Sequence, residues 1–274
     1  MSCCKIDSIH TGQVRGSIKT INHISTYITF PPDTSSTASD SISTNPKWDR
    51  ASLLLSEVHG IHLPNVQLLV DTFAGELRCP VIAPNLFGAD PFPIDKPEGW
   101  DDEKELEDFQ VRHHPGTVDP ILESTIDWIS QPVSSGGFGD VKSLGAVGYC
   151  FGGRYVIRLL ASGKIDAGVL NHPSFFTIDE VKSLAQRRLA GREGKEPIAA
   201  GARASPCFSP IAIFAAEEDD IFPESKRRAT EDVLKQIGVT WWCSTFGQTE
   251  HGFRYVLFTR SKPRLSQEPL DVDV

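Results

Sequence analysis

The stretch Gly148-Tyr149-Cys150-Phe151-Gly152-Gly153 constrains this chain more than any other. It follows an apolar run, Leu144-Gly145-Ala146-Val147, and precedes a helical one, Arg154-Tyr155-Val156-Ile157-Arg158-Leu159-Leu160. The order strand, glycine-flanked cysteine, helix asks for a sharp turn that strains the cysteine. A β-carbon two residues before or two after Cys150 would crowd the neighbouring strand and helix, so both glycines have a steric reason. The turn aims the Cys150 sulfur at the N-terminus of the next helix. There, unpaired N–H groups and the helix dipole favour a thiolate and an oxyanion.

The rest of the chain repeats the alternation. Asn22 to Phe30, Ala51 to Glu57, Pro80 to Pro84, Asp166 to Asn171, Pro210 to Ala216 and Val239 to Phe246 read as short apolar strands. Pro64 to Ala74 is helical, with Val66, Leu69, Val70 and Phe73 on one face. Val118 to Ser130, Ile178 to Leu189 and Glu224 to Ile237 are also helical, and Tyr255 to Leu265 is a terminal helix or tail. Strands alternating with helices of this length predict an α/β fold: a mainly parallel, doubly wound sheet with helices on both faces. The 274 residues read as a single domain. Residues 1–20 look like a weakly ordered lead-in, and 31–49 like a flexible Ser/Thr/Pro-rich loop. Residues 85–116, rich in proline and acidic groups, read as a surface excursion over a pocket, with part of the 101–108 charge run helical.

A net charge of −9 argues against nucleic acid and anionic membrane as partners. No signal peptide and no 18-residue apolar span are visible. The six cysteines (3, 4, 79, 150, 207, 243) are scattered, which fits a reduced, cytoplasmic protein. His113-His114, and Cys3-Cys4 with His10, lack recognisable ligand spacing. They read as solvated polar segments, so neither a metal nor a cofactor is expected. A small molecule is the expected partner, and the chain is expected to be a monomer or homodimer.

A thiol nucleophile needs a base, and the base an orienting acid. Downstream of Cys150, Asp219 lies just past the strand at 210–216, and His251 just past the strand at 239–246. Both stand where loops leave the carboxyl ends of strands, the usual ligand side of an open α/β sheet. Asp220, beside Asp219, is the alternative acid; spacing to Pro223 favours Asp219. The glycine-flanked cysteine is the nucleophile elbow of α/β-hydrolases with cysteine in place of serine. Leu55-Ser56-Glu57-Val58-His59-Gly60, Gly148 to Gly153, Asp219 with Pro223, and Glu250-His251-Gly252-Phe253 together resemble the dienelactone hydrolase family, from about Leu53 to Phe253. The Ser/Thr-rich early insertion and Cys-Cys start look like its fungal branch.

That resemblance implies the α/β-hydrolase fold and a Cys-His-Asp hydrolase of a small lactone or activated ester. Cys150 would be nucleophile, His251 base and then acid, and Asp219 the orienter of His251. Glu57 would contact and regulate the resting thiol. The backbone N–H groups of Val58 and Phe151 would form the oxyanion hole. His172 and Arg254 are candidate substrate contacts, though the arginine spacing departs from the bacterial pattern. Two alternatives stand beside this reading: a hydrolase or isomerase of polyketide-derived lactones, and a non-catalytic hydrolase-like binding protein.

Overall fold

The computed structural model describes residues 9–32, 48–139, 141–185 and 209–253. Eight strands form one sheet: β1 (Ser17–Ile21), β2 (Ile24–Thr29), β3 (Arg50–Leu55), β4 (Val81–Pro84), β5 (Ser143–Tyr149), β6 (Ala167–Asn171), β7 (Ile211–Glu218) and β8 (Trp241–Glu250). Their order is β1-β2-β4-β3-β5-β6-β7-β8. From β4 to β8 the neighbours run parallel, while β1 and β2 form an antiparallel hairpin set against β4. The helices are α1 (Pro64–Leu77), α2 (Asp102–Arg112), α3 (Pro115–Ile129), α4 (Phe151–Ala161), α5 (Ile178–Lys182) and α6 (Glu224–Ile237).

Strand side chains alternate between the two faces of the sheet. Leu53, Leu55, Ile82 and Ala146 pack with Val118 and Leu122 of α3, Val156 and Leu160 of α4, and Leu234 of α6. Leu54, Val81, Ala83 and Val147 pack on the other face against Val66, Leu69 and Val70 of α1. Leu53, Leu54 and Leu55 are all fully buried, so the central strand carries an unbroken apolar run.

Chain direction through the sheet fixes where a site can form. From β3 the chain moves outward to β4, then returns to place β5 on the other side of β3. The crossovers therefore diverge between β3 and β5. In open α/β sheets the ligand crevice lies at the carboxyl ends beside such a switch point, here between the segments that begin at Ser56 and Cys150.

Two expectations need correcting, and a third is tested only in part. Residues 17–20, read as the end of the lead-in, belong to strand β1. Residues 85–116 are less peripheral than their charge suggests: Leu106 and Phe109 of α2 are buried, and Phe109 stacks among Phe87, Phe92, His113 and Phe151. The helix beginning at Ile178 runs to Lys182, breaks for a turn at Ser183 and is helical again at 184–185; its expected end at Leu189 lies outside the described residues. Most of the 31–49 loop and the tail beyond Phe253 lie outside the described residues.

Candidate active site

Strand β5 ends at Tyr149 and α4 begins at Phe151, so Cys150 alone makes the turn. Its backbone stands at φ 47°, ψ −110°. Such a conformation costs a non-glycine residue roughly 1–3 kcal/mol and persists only where its surroundings impose it. Three backbone bonds of 3.0 Å do so. Cys150 N–H donates to the Asn171 carbonyl, and the Cys150 carbonyl accepts from Gly153 N–H and Ser174 N–H.

The glycines have the steric reason expected. A β-carbon on Gly148 would lie 2.6 Å from the Gly152 carbonyl, and one on Gly152 would lie 2.1 Å from the Leu55 carbonyl oxygen in β3. Both obstacles are backbone and cannot swing aside. Gly152→Ala is therefore expected to cost about 3 kcal/mol or more in denaturant unfolding, at the upper end of overpacking effects. A loss below about 1 kcal/mol would show that α4 does not press on β3 as described.

β7 and β8 are neighbouring parallel strands, and the pairing of Glu218 with Glu250 lays their ends level. The next residue on each is Asp219 and His251. A bulge near Ala216–Glu218 helps set this register; opposite it, Gln248 adopts φ 55° and donates its N–H to Glu217 Oε2 at 2.7 Å. His251 Nδ1 lies 2.8 Å from Asp219 Oδ2. A carboxylate only accepts, so the proton of that bond sits on Nδ1. The second Asp219 oxygen accepts from the N–H groups of Ile221 and Phe222, each at 2.9 Å. Burial alone would raise the Asp219 carboxyl. The His251 bond and charge, with those two N–H groups, outweigh it and hold Asp219 below the usual carboxylate range. Asp220 is exposed and makes no such bond.

Cys150 Sγ and one ring nitrogen each from His172 and His251 all lie within 4.8 Å of one another. The fully buried Ser174 contacts both: its hydroxyl donates to Cys150 Sγ at 3.1 Å and lies 3.3 Å from His251 Nε2. His172 Nδ1 is 3.4 Å from the same Nε2. Burial pulls the His251 pKa down. The Cys150 charge, the Asp219 bond, the Cys150 bond and the Asp219 charge win, and raise it to about 10. Across the crevice, the Val58 and Phe151 N–H groups make no hydrogen bond among the described residues. Phe151 is the first residue of α4, whose leading N–H groups have no intrahelical acceptor.

The sequence profile of the dienelactone hydrolase family matches residues 40–260. The chain belongs to that family. It is an ester or lactone hydrolase by that membership. Among its relatives, hydrolase pyvD of Aspergillus violaceofuscus is 31% identical over 251 residues, covering 92% of this chain and 84% of that protein. Hydrolase tropI of Talaromyces stipitatus is 31% identical over 256 residues, with the same coverage. Dienlactone hydrolase 1 of Gibberella moniliformis is 24% identical over 261 residues, covering 92% of this chain and 82% of that protein. Among solved structures, a dienelactone hydrolase-like promiscuous phosphotriesterase from metagenomic libraries superposes with TM-score 0.56 at 12% identity, over 88% of this chain and 84% of that one. Propionate-bound Est2, an esterase of Thermogutta terrifontis, gives TM-score 0.53 at 17% identity, over 88% and 85%.

In this dienelactone hydrolase family member, the residues implied by resemblance are only partly assembled as expected. Cys150, His251 and Asp219 converge. Glu57 is buried beside the crevice, but its Oε2 accepts from His59 N–H at 3.0 Å, and no hydrogen bond joins it to Cys150 among the described residues. Its Oε1 has no hydrogen-bond partner among the described residues. Burial pushes the Glu57 carboxyl up, against the opposing charge and N–H of His59 and the charge of His251. Arg254 lies outside the described residues. His172 is at the site but fully buried, packed edge-on to His251. His113 is not solvated: it is buried against Phe109 and lies 2.9 Å from Asp90. His114 caps α3 through Gly116 N–H. Ser174 was not expected at the site. Its only sequence signal is a polar residue in the loop after β6, next in the sheet to the elbow strand.

The His251 shift sets a pH dependence. A group whose folded pKa is raised contributes stability that is full below its ordinary value of 6.5 and lost as pH rises through about 10. The unfolding midpoint of the wild type is therefore expected to fall more steeply than that of His251→Gln between neutrality and about pH 10. Parallel curves in a melting series would contradict the pairing.

Proposed function

We propose that this chain cleaves a small lactone or activated carboxylic ester through a Cys150-His251-Asp219 triad and a thioester acyl-enzyme. One observation carries the reading: His251 is held from behind by Asp219 while its ring lies beside Cys150 Sγ, with Ser174 Oγ contacting both. The raised His251 pKa favours the imidazolium, whose positive charge would stabilise a thiolate on Cys150 for attack.

The steps follow from that charge state. The thiolate adds to the substrate carbonyl carbon, and negative charge moves onto the carbonyl oxygen. The uncommitted N–H groups of Val58 and Phe151 supply two donors for it, and each such donor is typically worth about 3–4 kcal/mol. Collapse of the tetrahedral intermediate expels an alkoxide, which takes the Nε2 proton of His251. With a lactone the alcohol stays tethered to the acyl chain. Neutral His251 then removes a proton from water, and the hydroxide splits the thioester, restoring the thiolate–imidazolium pair. Asp219 keeps Nε2 aimed at the sulfur throughout. Glu57 regulates the resting thiol in this reading, which requires its carboxyl to turn from His59 toward the sulfur.

The free thiols of Cys79, Cys150 and Cys243 fit a reduced, cytoplasmic setting. Incubating the protein with dienelactones, aromatic lactones and short p-nitrophenyl esters, then quenching in acid, should trap an acyl adduct on the peptide bearing Cys150. Turnover with the adduct on another residue, or no turnover of any panel member, would overturn the reading.

A further inference from the structure

The catalytic reading uses Cys150 and one imidazole, yet the structure gathers a second imidazole at the same point. His172 is 1% exposed and ends β6 at φ 37°, an uncommon conformation for a residue with a side chain. Its backbone N–H is fixed to the Phe214 carbonyl at 2.8 Å. A thiol and two imidazoles converging in this way form a ligand set of soft and borderline donors.

We propose that Cys150, His172 and His251 form a Zn²⁺ site, and that an ion seated there silences the hydrolase. The donor geometry comes first. In a tetrahedral site with Zn–N distances of about 2.0–2.1 Å, two nitrogens stand about 3.4 Å apart. His172 Nδ1 and His251 Nε2 are 3.4 Å apart. With Zn–S near 2.3 Å, a sulfur and a nitrogen ligand would stand about 3.6 Å apart. The three donor atoms lie within 4.8 Å, so side-chain adjustments of about 1 Å close the set.

The supporting shell is a separate observation. Imidazoles that bind zinc commonly donate their other N–H to a carboxylate, which fixes the tautomer and strengthens the donor. Asp219 does this to His251 at 2.8 Å, leaving Nε2 as the nitrogen that turns inward. Ser174 Oγ, at 3.1 Å from the sulfur and 3.3 Å from Nε2, stands beside the fourth position. Calcium and magnesium want oxygen cages and are refused by this set.

Binding is balanced simply. Zn²⁺ takes the deprotonated sulfur and two neutral imidazole nitrogens as ligands, and whatever proton these donor atoms held leaves to solvent. The site needs only the three donors. Its effect on turnover rests on the hydrolase reading, because the ion occupies both the nucleophile and the base.

Binding and turnover are therefore measured separately. Full-length protein stripped with chelator is titrated with Zn²⁺ against a chromophoric competitor, and with Co²⁺ while the near-ultraviolet spectrum is followed. The expected result is one ion per chain, a thiolate-to-cobalt charge-transfer band, and reversal by chelator. Cys150→Ser should abolish the band. His172→Asn, which tolerates the positive φ, should weaken binding at least about tenfold while leaving the melting curve cooperative. No stoichiometric binding by the wild type, or binding equally strong in both variants, overturns the site. Tight binding by a protein that hydrolyses no panel member would leave the site standing and remove the hydrolase reading. Full turnover with the site saturated would overturn the silencing.

Discussion

Cys150→Ala is expected to lower kcat on the best lactone or ester by about 10⁴-fold or more, with the fold intact. Residues of a catalytic triad act as a unit, and loss of the nucleophile removes the covalent route altogether. A 10⁴-fold loss corresponds to about 5.4 kcal/mol of transition-state stabilisation. In the proposed mechanism, what remains is the contribution of the Val58 and Phe151 donors and of substrate binding. Alanine keeps the β-carbon, so the strain at φ 47° is unchanged, and the three bonds that impose it involve only backbone atoms. The variant should therefore melt cooperatively. It should also report on the charge pair: without the neighbouring sulfur, the His251 pKa should fall from about 10, followed by NMR of the imidazole. Turnover within about tenfold of wild type, or a His251 titration unmoved by the substitution, would separate Cys150 from the chemistry.

The parts of the fold legible in the sequence are those whose information is local. The elbow is one: Gly148 and Gly152 are required by contacts within a strand–turn–helix unit and with the adjoining strand, and the requirement follows from spacing alone. The central strands are another, because Leu53, Leu54 and Leu55 are buried on both faces and show it as an unbroken apolar run. β1 fails the same test. Of its residues Ser17 to Ile21, only Ile21 is buried, and the strand exists because it pairs with β2 in a hairpin. Its polar pattern carries the mark of a sheet edge rather than of a strand.

The site was legible in chain order but not in its lining. Cys150, Asp219 and His251 each follow a strand, and parallel order brings those ends to one rim. Ser174 and the inward turn of His172 depend on something no local pattern encodes: β6 lies between β5 and β7, and the loop after it folds back so that Ser174 N–H reaches the Cys150 carbonyl. The Glu57 expectation came from resemblance, and here the carboxyl is taken by the backbone N–H of His59 two residues on. The aromatic core under residues 85–116 was masked by the acidic residues that share the α2 helix with Leu106 and Phe109.

Asp219 and Asp220 offer a sharper test of how the acid works, because neighbouring carboxylates differ only in what they touch. Asp219→Asn preserves size and the acceptor for the Ile221 and Phe222 N–H groups. It removes the charge and lets the amide present N–H to His251 Nδ1. The imidazole would then place its own proton on Nε2, the nitrogen needed as base, so the tautomer is wrong for catalysis. The expected loss in kcat is about 10⁴-fold at neutral pH, matching the scale of such a change in a serine triad. Asp220→Asn, at an exposed residue outside the pair, should stay within about threefold of wild type. The His251 pKa adds a readout that simple loss of packing would not move. Removing the Asp219 bond and charge takes away two of the contributions that raise it, so it should fall in Asp219→Asn and hold in Asp220→Asn. Equal losses in the two variants, or a larger one at Asp220, would place the orienting carboxylate elsewhere in the loop and break the triad at its third member.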